Sequence, residues 1–210
     1  MASATRTYGG VTADERRATR RSTLIDAAFD LFAEGGAQAV SKRAVCTRAQ
    51  LNDRYFYESF TDANALLEAI MREQTELCLV AVSAGVDASL DLHAQIRAVA
   101  RIALDFLTAD PRRGALLLGS RGSEVLQRGR IDSARAIAQA IVAIGNNDGG
   151  QAAPSSFDSE VTAYALVNGA MEVIEAWVRG DIATTREHLA DLVAGLLAAT
   201  PAITAELPKT

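Results

Sequence analysis

Punctuation constrains this chain most. Between residues 14 and 62, helical runs are separated by residues that start and stop helices. From 14 to 34, apolar side chains recur at helical spacing: Leu24, Ala28 and Leu31 beside Ile25, Phe29 and Phe32. Glu34-Gly35-Gly36 ends that run, because glycine takes the left-handed C-cap conformation without a Cβ clash. Ser41 then precedes the run KRAVCTRA, where its hydroxyl can accept a free N–H of the first turn. The acid that completes a capping box is missing, and Ala44 stands in its place. After a break at 49–51, Asn52 is the next cap, with Leu51 and Phe56 at the two positions of a hydrophobic staple. Asp62 opens a longer helix. Three helices with tight turns, the last two joined by about four residues, predict a helix-turn-helix.

The aromatic residues sharpen that reading. Four of the chain's eleven rings, Tyr55, Phe56, Tyr57 and Phe60, fall within six residues. With Phe56 facing inward, Phe60 lies one turn on, Arg54 and Glu58 point away, and Tyr55 and Tyr57 take the flanks. Two phenylalanines therefore anchor a helix too short to stand alone. The two tyrosines present hydroxyls sideways, within reach of a phosphate or a base edge. Asn52, Asp53 and Arg54 sit at the helix start, the end that enters the major groove in this motif.

Beyond residue 62 the chain reads as helix throughout, with runs at about 62–82, 91–109, 111–119, 123–145, 157–179 and 184–199. The segment 145–156, rich in Gly, Asn and Ser, is its clearest loop. Alternating β-branched strands do not appear. The fold expected is all-α: an arm at 1–13, a DNA-binding domain at 14–61 and a helical body at 62–205.

Composition narrows the function classes. Apolar residues make up 49% and charged residues 22%, ordinary values for a globular protein. No apolar run reaches membrane-spanning length, and the first twenty residues lack a secretory apolar core, so a cytoplasmic protein without a membrane partner is expected. Cys46 and Cys78 cannot make a disulfide framework, and His93 and His188 offer no metal spacing, so no metal or cofactor is expected. No nucleophile elbow or phosphate loop suggests an enzyme. Net charge is −5, yet up to residue 60 nine basic residues oppose seven acidic ones, about +2 against about −7 for the rest. A small anion-facing module on an acidic body fits that asymmetry. The solvated face of an ordinary helix fits Arg16, Arg17, Arg20 and Arg21 equally well.

The stretch LIDAAFDLFAEGGAQAVSKRAVCTRAQLNDRYFYESFTDANALLEAI resembles the DNA-binding domain of the TetR (tetracycline-repressor) family over about residues 22–71. The likeness runs through AAFDLFAEGG, Val40-Ser41, Phe56-Tyr57-x-x-Phe60 and ALLEAI. It implies a homodimeric repressor released from a palindromic double-stranded operator by a small-molecule effector. Ser41 matches a phosphate-contacting hydroxyl, and Arg43 a base-reaching position beside Lys42. Asp53, Arg54 and Tyr55 match base-reading positions next to Asn52, and Tyr57 and Ser59 match phosphate contacts. Gln50 replaces the turn glycine, and Ala63 replaces a lysine that often opens the fourth helix.

For the body the resemblance is one of layout. Small residues at Ala165, Gly169, Ala170 and Ala176 permit close helix approach, and Leu189, Leu192, Val193, Leu196 and Leu197 form one broad face. In the family the last two helices make a four-helix dimer bundle. Candidate effector contacts are Phe106, Leu117, Arg121, Tyr164, Asn168, Met171 and Glu172, with Trp177 beside them. Phe106, Leu117 and Trp177 serve equally as core, and Glu172 as the partner of an arginine. A helical interaction protein of the same fold that has lost DNA binding is the alternative.

Overall fold

The computed structural model describes residues 12–147 and 156–206. The expected arm, apart from residues 12 and 13, and most of the expected loop lie outside the described residues. Among those described, every regular element is helical: α1 (Ala13–Gly35), α2 (Lys42–Ala49), α3 (Asp53–Tyr57), α4 (Ala63–Gly85), α5 (Leu92–Ala109), α6 (Pro111–Gly119), α7 (Glu124–Asn147), α8 (Ser156–Arg179), α9 (Arg186–Ala198) and α10 (Thr200–Ala205).

Side-chain caps set most of the helix starts. Thr12 accepts from the Glu15 backbone at 3.1 Å while Glu15 returns to the Thr12 N–H at 2.6 Å, a complete capping box. Ser41, Asn52, Asp62, Asp91, Asp110 and Thr185 cap α2, α3, α4, α5, α6 and α9 through their side-chain oxygens. Gly36, at φ +68°, closes α1 in the left-handed region. The expected last helix, 184–199, is shorter and is followed at once by α10, because Pro201 suits a first helical turn.

Two cores result. The first is filled by Leu24, Phe29, Phe32, Val45, Phe56 and Ile70, and it takes Leu116 of α6 and Leu126 of α7 as well. The second joins α5, α7, α8 and α9 through Leu104, Ala138, Val167, Leu189 and Val193. The broad α9 face expected from sequence is divided: Leu189, Val193 and Leu197 are buried in their own chain, whereas Leu192 points out. The divide follows from helix geometry, since 189, 193 and 197 lie one turn apart and 192 does not share their stripe.

Helix α6 lies hard against α1. A Cβ on Gly119 would stand 2.7 Å from the Phe32 ring, so only glycine admits this approach without a shift. Arg112 adds the polar half of the junction. Its guanidinium donates to Asp30 at 2.6 Å and Asp26 at 2.8 Å on α1, and to Asp110 at 2.9 Å. The hydrogen bonds to Asp110, then those to Asp26 and Asp30, hold the Arg112 guanidinium above its ordinary range against the opposing effect of burial.

Candidate functional site

The α2–α3 unit is built from a turn under tension. Gln50 sits at φ +53°, ψ +37°, a left-handed conformation in which a Cβ costs roughly 1 kcal/mol. That geometry lets Leu51 donate to the Cys46 carbonyl at 3.0 Å and sends the chain straight into the Asn52 cap, where Oδ1 accepts from Tyr55 N at 3.3 Å. Leu51 and Phe56 both join the first core, as the staple positions require. The fully buried Phe56 ring meets Tyr57 edge-on at 5.7 Å and Phe60 at 5.9 Å. Five residues of helix are thus fastened by two phenylalanines.

The outward side chains form a tight electrostatic set. Tyr57 is 60% exposed. Lys42 lies 2.5 Å from Asp53 and 5.2 Å from the centre of the Tyr57 ring, and its hydrogen bond to Asp53 raises its ammonium above the ordinary lysine range. Arg54, 83% exposed, touches Glu58 at 3.2 Å, and Glu58 also takes Arg20 of α1 at 3.2 Å. Arg20 stacks 4.4 Å over Tyr55, so Tyr55 is half-buried, while Arg21 lies 5.0 Å over Phe60. Ser41, Arg43 and Asn52 are exposed, and Ser59 is partly covered. Lys42, Asp53 and Tyr57 form one direct cluster; Arg20, Arg54, Tyr55 and Glu58 form a second. Such a surface offers hydroxyls, amides and guanidinium groups to an anionic, edge-presenting partner.

The expected effector residues divide. Phe106, Leu117 and Met171 line a cavity of about 170 Å³ walled by α4, α5, α6, α7 and α8. Tyr164 and Asn168 do not line it; the Asn168 amide donates to the Tyr164 carbonyl of its own helix at 2.7 Å. Glu172 pairs with Arg130 at 2.6 Å on the cavity's edge. The Trp177 ring nitrogen donates to the Thr184 carbonyl at 3.1 Å, tying α8 to the turn before α9. The Arg121 side chain lies outside the described residues.

Sequence reasoning missed Arg113, Arg130, Gln74 and Cys78, which also line the cavity, and the role of Glu175 as the buried partner of Arg130. Glu175 is only 2% exposed, and its carboxylate takes Arg179 at 2.9 Å and Arg130 at 3.3 Å. Its spacing, three residues after Glu172 and four before Arg179 on one helix, was the available signal. Cys78 has its thiol pushed above the ordinary value by burial, an effect the charge of Arg113 partly offsets.

Among the described residues no group of three or more His, Cys, Asp or Glu could hold a metal ion. None of the helices among the described residues is long and apolar enough to cross a membrane.

Residues 24–70 match the model of bacterial regulatory proteins of the tetR family. Among curated proteins none matches the chain. A TetR-like transcriptional regulator from Rhodococcus sp. RHA1 superposes with a TM-score of 0.64 at 21% identity, covering 88% of this chain and 97% of that one. A tetR-family transcriptional regulator from Streptomyces coelicolor gives 0.68 at 20% identity, covering 90% and 82%. The transcriptional regulator FadR from Bacillus subtilis, solved with stearoyl-CoA, gives 0.62 at 17% identity, covering 85% and 98%. At these identities the structural likeness establishes the fold. The matched segment runs from the second half of α1 into α4 and holds the α2–α3 helix-turn-helix, and the chain as a whole shares the fold of these regulators.

Proposed function

We propose that this protein is a repressor that binds a palindromic operator as a homodimer and is released when a small molecule enters the cavity under α6. One observation carries the reading. Helix α6 presents Arg113 to the cavity and the adjacent Arg112 to Asp26 and Asp30 of α1. A ligand that moves α6 therefore moves the helix on which α2 and α3 rest.

The DNA-facing set is Ser41, Lys42, Arg43, Asn52, Asp53, Arg54, Tyr55, Tyr57 and Ser59. Tyr57, Ser41 and Ser59 serve phosphates, which position the protein, and Arg54 with Asn52 serves base edges, which specify. Lys42 reaches DNA by leaving Asp53. The effector set keeps Phe106, Leu117 and Met171 and gains Arg113. FadR, with its bound stearoyl-CoA, supports the view that this fold admits a ligand. Dimerisation falls to the outer faces of α8, α9 and α10, where Phe157, Val161, Leu192 and Ile203 are exposed apolar side chains. Two copies place two α3 helices for half-sites about one helical turn apart.

The test is selection of random duplex DNA by the purified protein at moderate salt, with sequencing of what is retained. A palindrome supports the reading. A folded dimer that enriches nothing would favour the helical protein of the same fold without DNA binding.

A further inference from the structure

The cavity under α6 is apolar in its walls, yet it contains two arginines and no acid. Arg130 is neutralised by Glu172 and Glu175. Arg113 is different. Its Nε donates to the neutral Gln74 at 3.0 Å, its Nη1 donates to the Phe106 carbonyl at 2.5 Å, and the group stacks 3.6 Å over the Phe106 ring. Among the described residues it makes no ion pair with a carboxylate. The neighbouring acid Asp110 gives its oxygens to Arg112.

The other polar groups of the wall are already committed. The Ser120 hydroxyl donates to the Leu117 carbonyl at 2.8 Å, and Thr75 and Ser133 share one hydrogen bond of 2.6 Å. Apart from Arg130 Nε, whose charge is met by two carboxylates, that leaves Arg113 Nη2 and the Gln74 amide nitrogen as donors without an acceptor among the described residues. Neither is a sealed-off buried atom, because no buried side-chain nitrogen or oxygen among the described residues lacks a partner. Both donors therefore face accessible space. A guanidinium held flat by a ring and steadied by an amide holds Nη2 in a fixed direction, and a carboxylate can accept one hydrogen bond from Nη2 and one from the Gln74 amide nitrogen.

Resting on the reading of this cavity as the effector site, we infer that its ligand is a small apolar molecule carrying a single carboxylate, with the acid on Arg113 and Gln74 and the apolar part against Phe106, Leu117 and Met171. At about 170 Å³ the cavity falls below the roughly 300–1,000 Å³ of drug-sized sites, which limits the ligand to a short chain or a single ring. Binding would draw Gln74 of α4 and Arg113 of α6 onto one group and so fix the distance between those helices.

The test is calorimetric titration of the purified dimer with octanoate, 1-octanol and octylamine, which share a chain and differ in the head. Octanoate is expected to bind at least tenfold tighter than octanol, and octylamine not to bind measurably. Arg113→Gln should lose that tenfold preference for the acid over the alcohol, and Arg113→Lys should retain part of it. Thermal unfolding of each variant separates lost binding from lost folding. Equal affinity for acid and alcohol, or an Arg113→Gln variant with undiminished octanoate affinity, overturns the inference. These readouts contain no DNA, so they fail independently of the repressor reading. That reading fails instead if octanoate binds as expected and operator affinity does not change.

Discussion

Arg112 of α6 donates to Asp30 of α1 across 2.6 Å, joining a helix of the cavity wall to the helix that carries the DNA-binding domain. Asp26, one turn earlier, receives the same nitrogen at 2.8 Å. Because both acids are partly solvated, the stabilisation is modest, about 1 kcal/mol. Arg112→Gln is expected to lower the melting temperature slightly, to leave effector affinity unchanged, and to make operator affinity insensitive to effector. Fluorescence polarisation of operator DNA with and without ligand checks it.

The same junction predicts an acid response. The hydrogen bond from Arg112 holds the Asp110 carboxyl below its ordinary range. Stability from this group is complete above the ordinary aspartate value of about 3.9 and is lost as pH falls through the depressed folded value. Arg112, raised rather than lowered, stays charged throughout and adds no slope there. Denaturation at pH 7, 5 and 3 should show no change from this pair between the first two. The third should show a loss that Asp110→Asn abolishes.

Gln50 occupies a backbone conformation suited to glycine. Gln50→Gly removes the Cβ clash and is expected to stabilise the domain by roughly 0.5–1 kcal/mol, less the extra freedom gained by the unfolded chain. A rise in melting temperature with an unchanged selected DNA sequence is the expected result.

Glu175 neutralises the Arg130 and Arg179 side chains from within the second core. Arg130 itself is 12% exposed. Glu175→Ala takes one of two carboxylates from the buried Arg130, which keeps Glu172 at 2.6 Å, and should cost about 1–3 kcal/mol, with Glu175→Gln costing less. Urea denaturation measures both.

At the α3 surface, Tyr57→Phe should weaken every duplex alike, as loss of a phosphate contact does. Arg54→Ala should relax sequence preference, by about 1–3 kcal/mol at one base pair if the contact is bidentate. An Arg54→Ala protein that selects an unaltered sequence would place base reading elsewhere on the domain.

The all-α fold was legible because its signals are local. Caps at Ser41, Asn52 and Asp62, the glycine stop at residue 36 and the Leu51–Phe56 staple each act within five residues. The Thr12–Glu15 capping box is a further signal of this local kind. What stayed hidden was the choice of partner between distant segments. Arg112 meets acids more than eighty positions away, and Glu175 meets Arg130 forty-five positions away. Charge type and helical spacing nominate such residues without saying which will meet. The cavity escaped for the same reason: its wall draws on five helices, and Phe106, Leu117 and Met171 are individually indistinguishable from core.

Arg112 and Arg113 are joined by one peptide bond and serve different neighbours, the first on α1 and the second on the cavity. Where ligand and operator binding are coupled through them, linkage makes that coupling reciprocal. If the ligand lowers operator affinity by some factor, the operator must lower ligand affinity by that same factor. Molecules of this protein seated on DNA would then be poorer ligand sensors than those free in solution, and the response threshold in a cell would depend on how many operators compete for them.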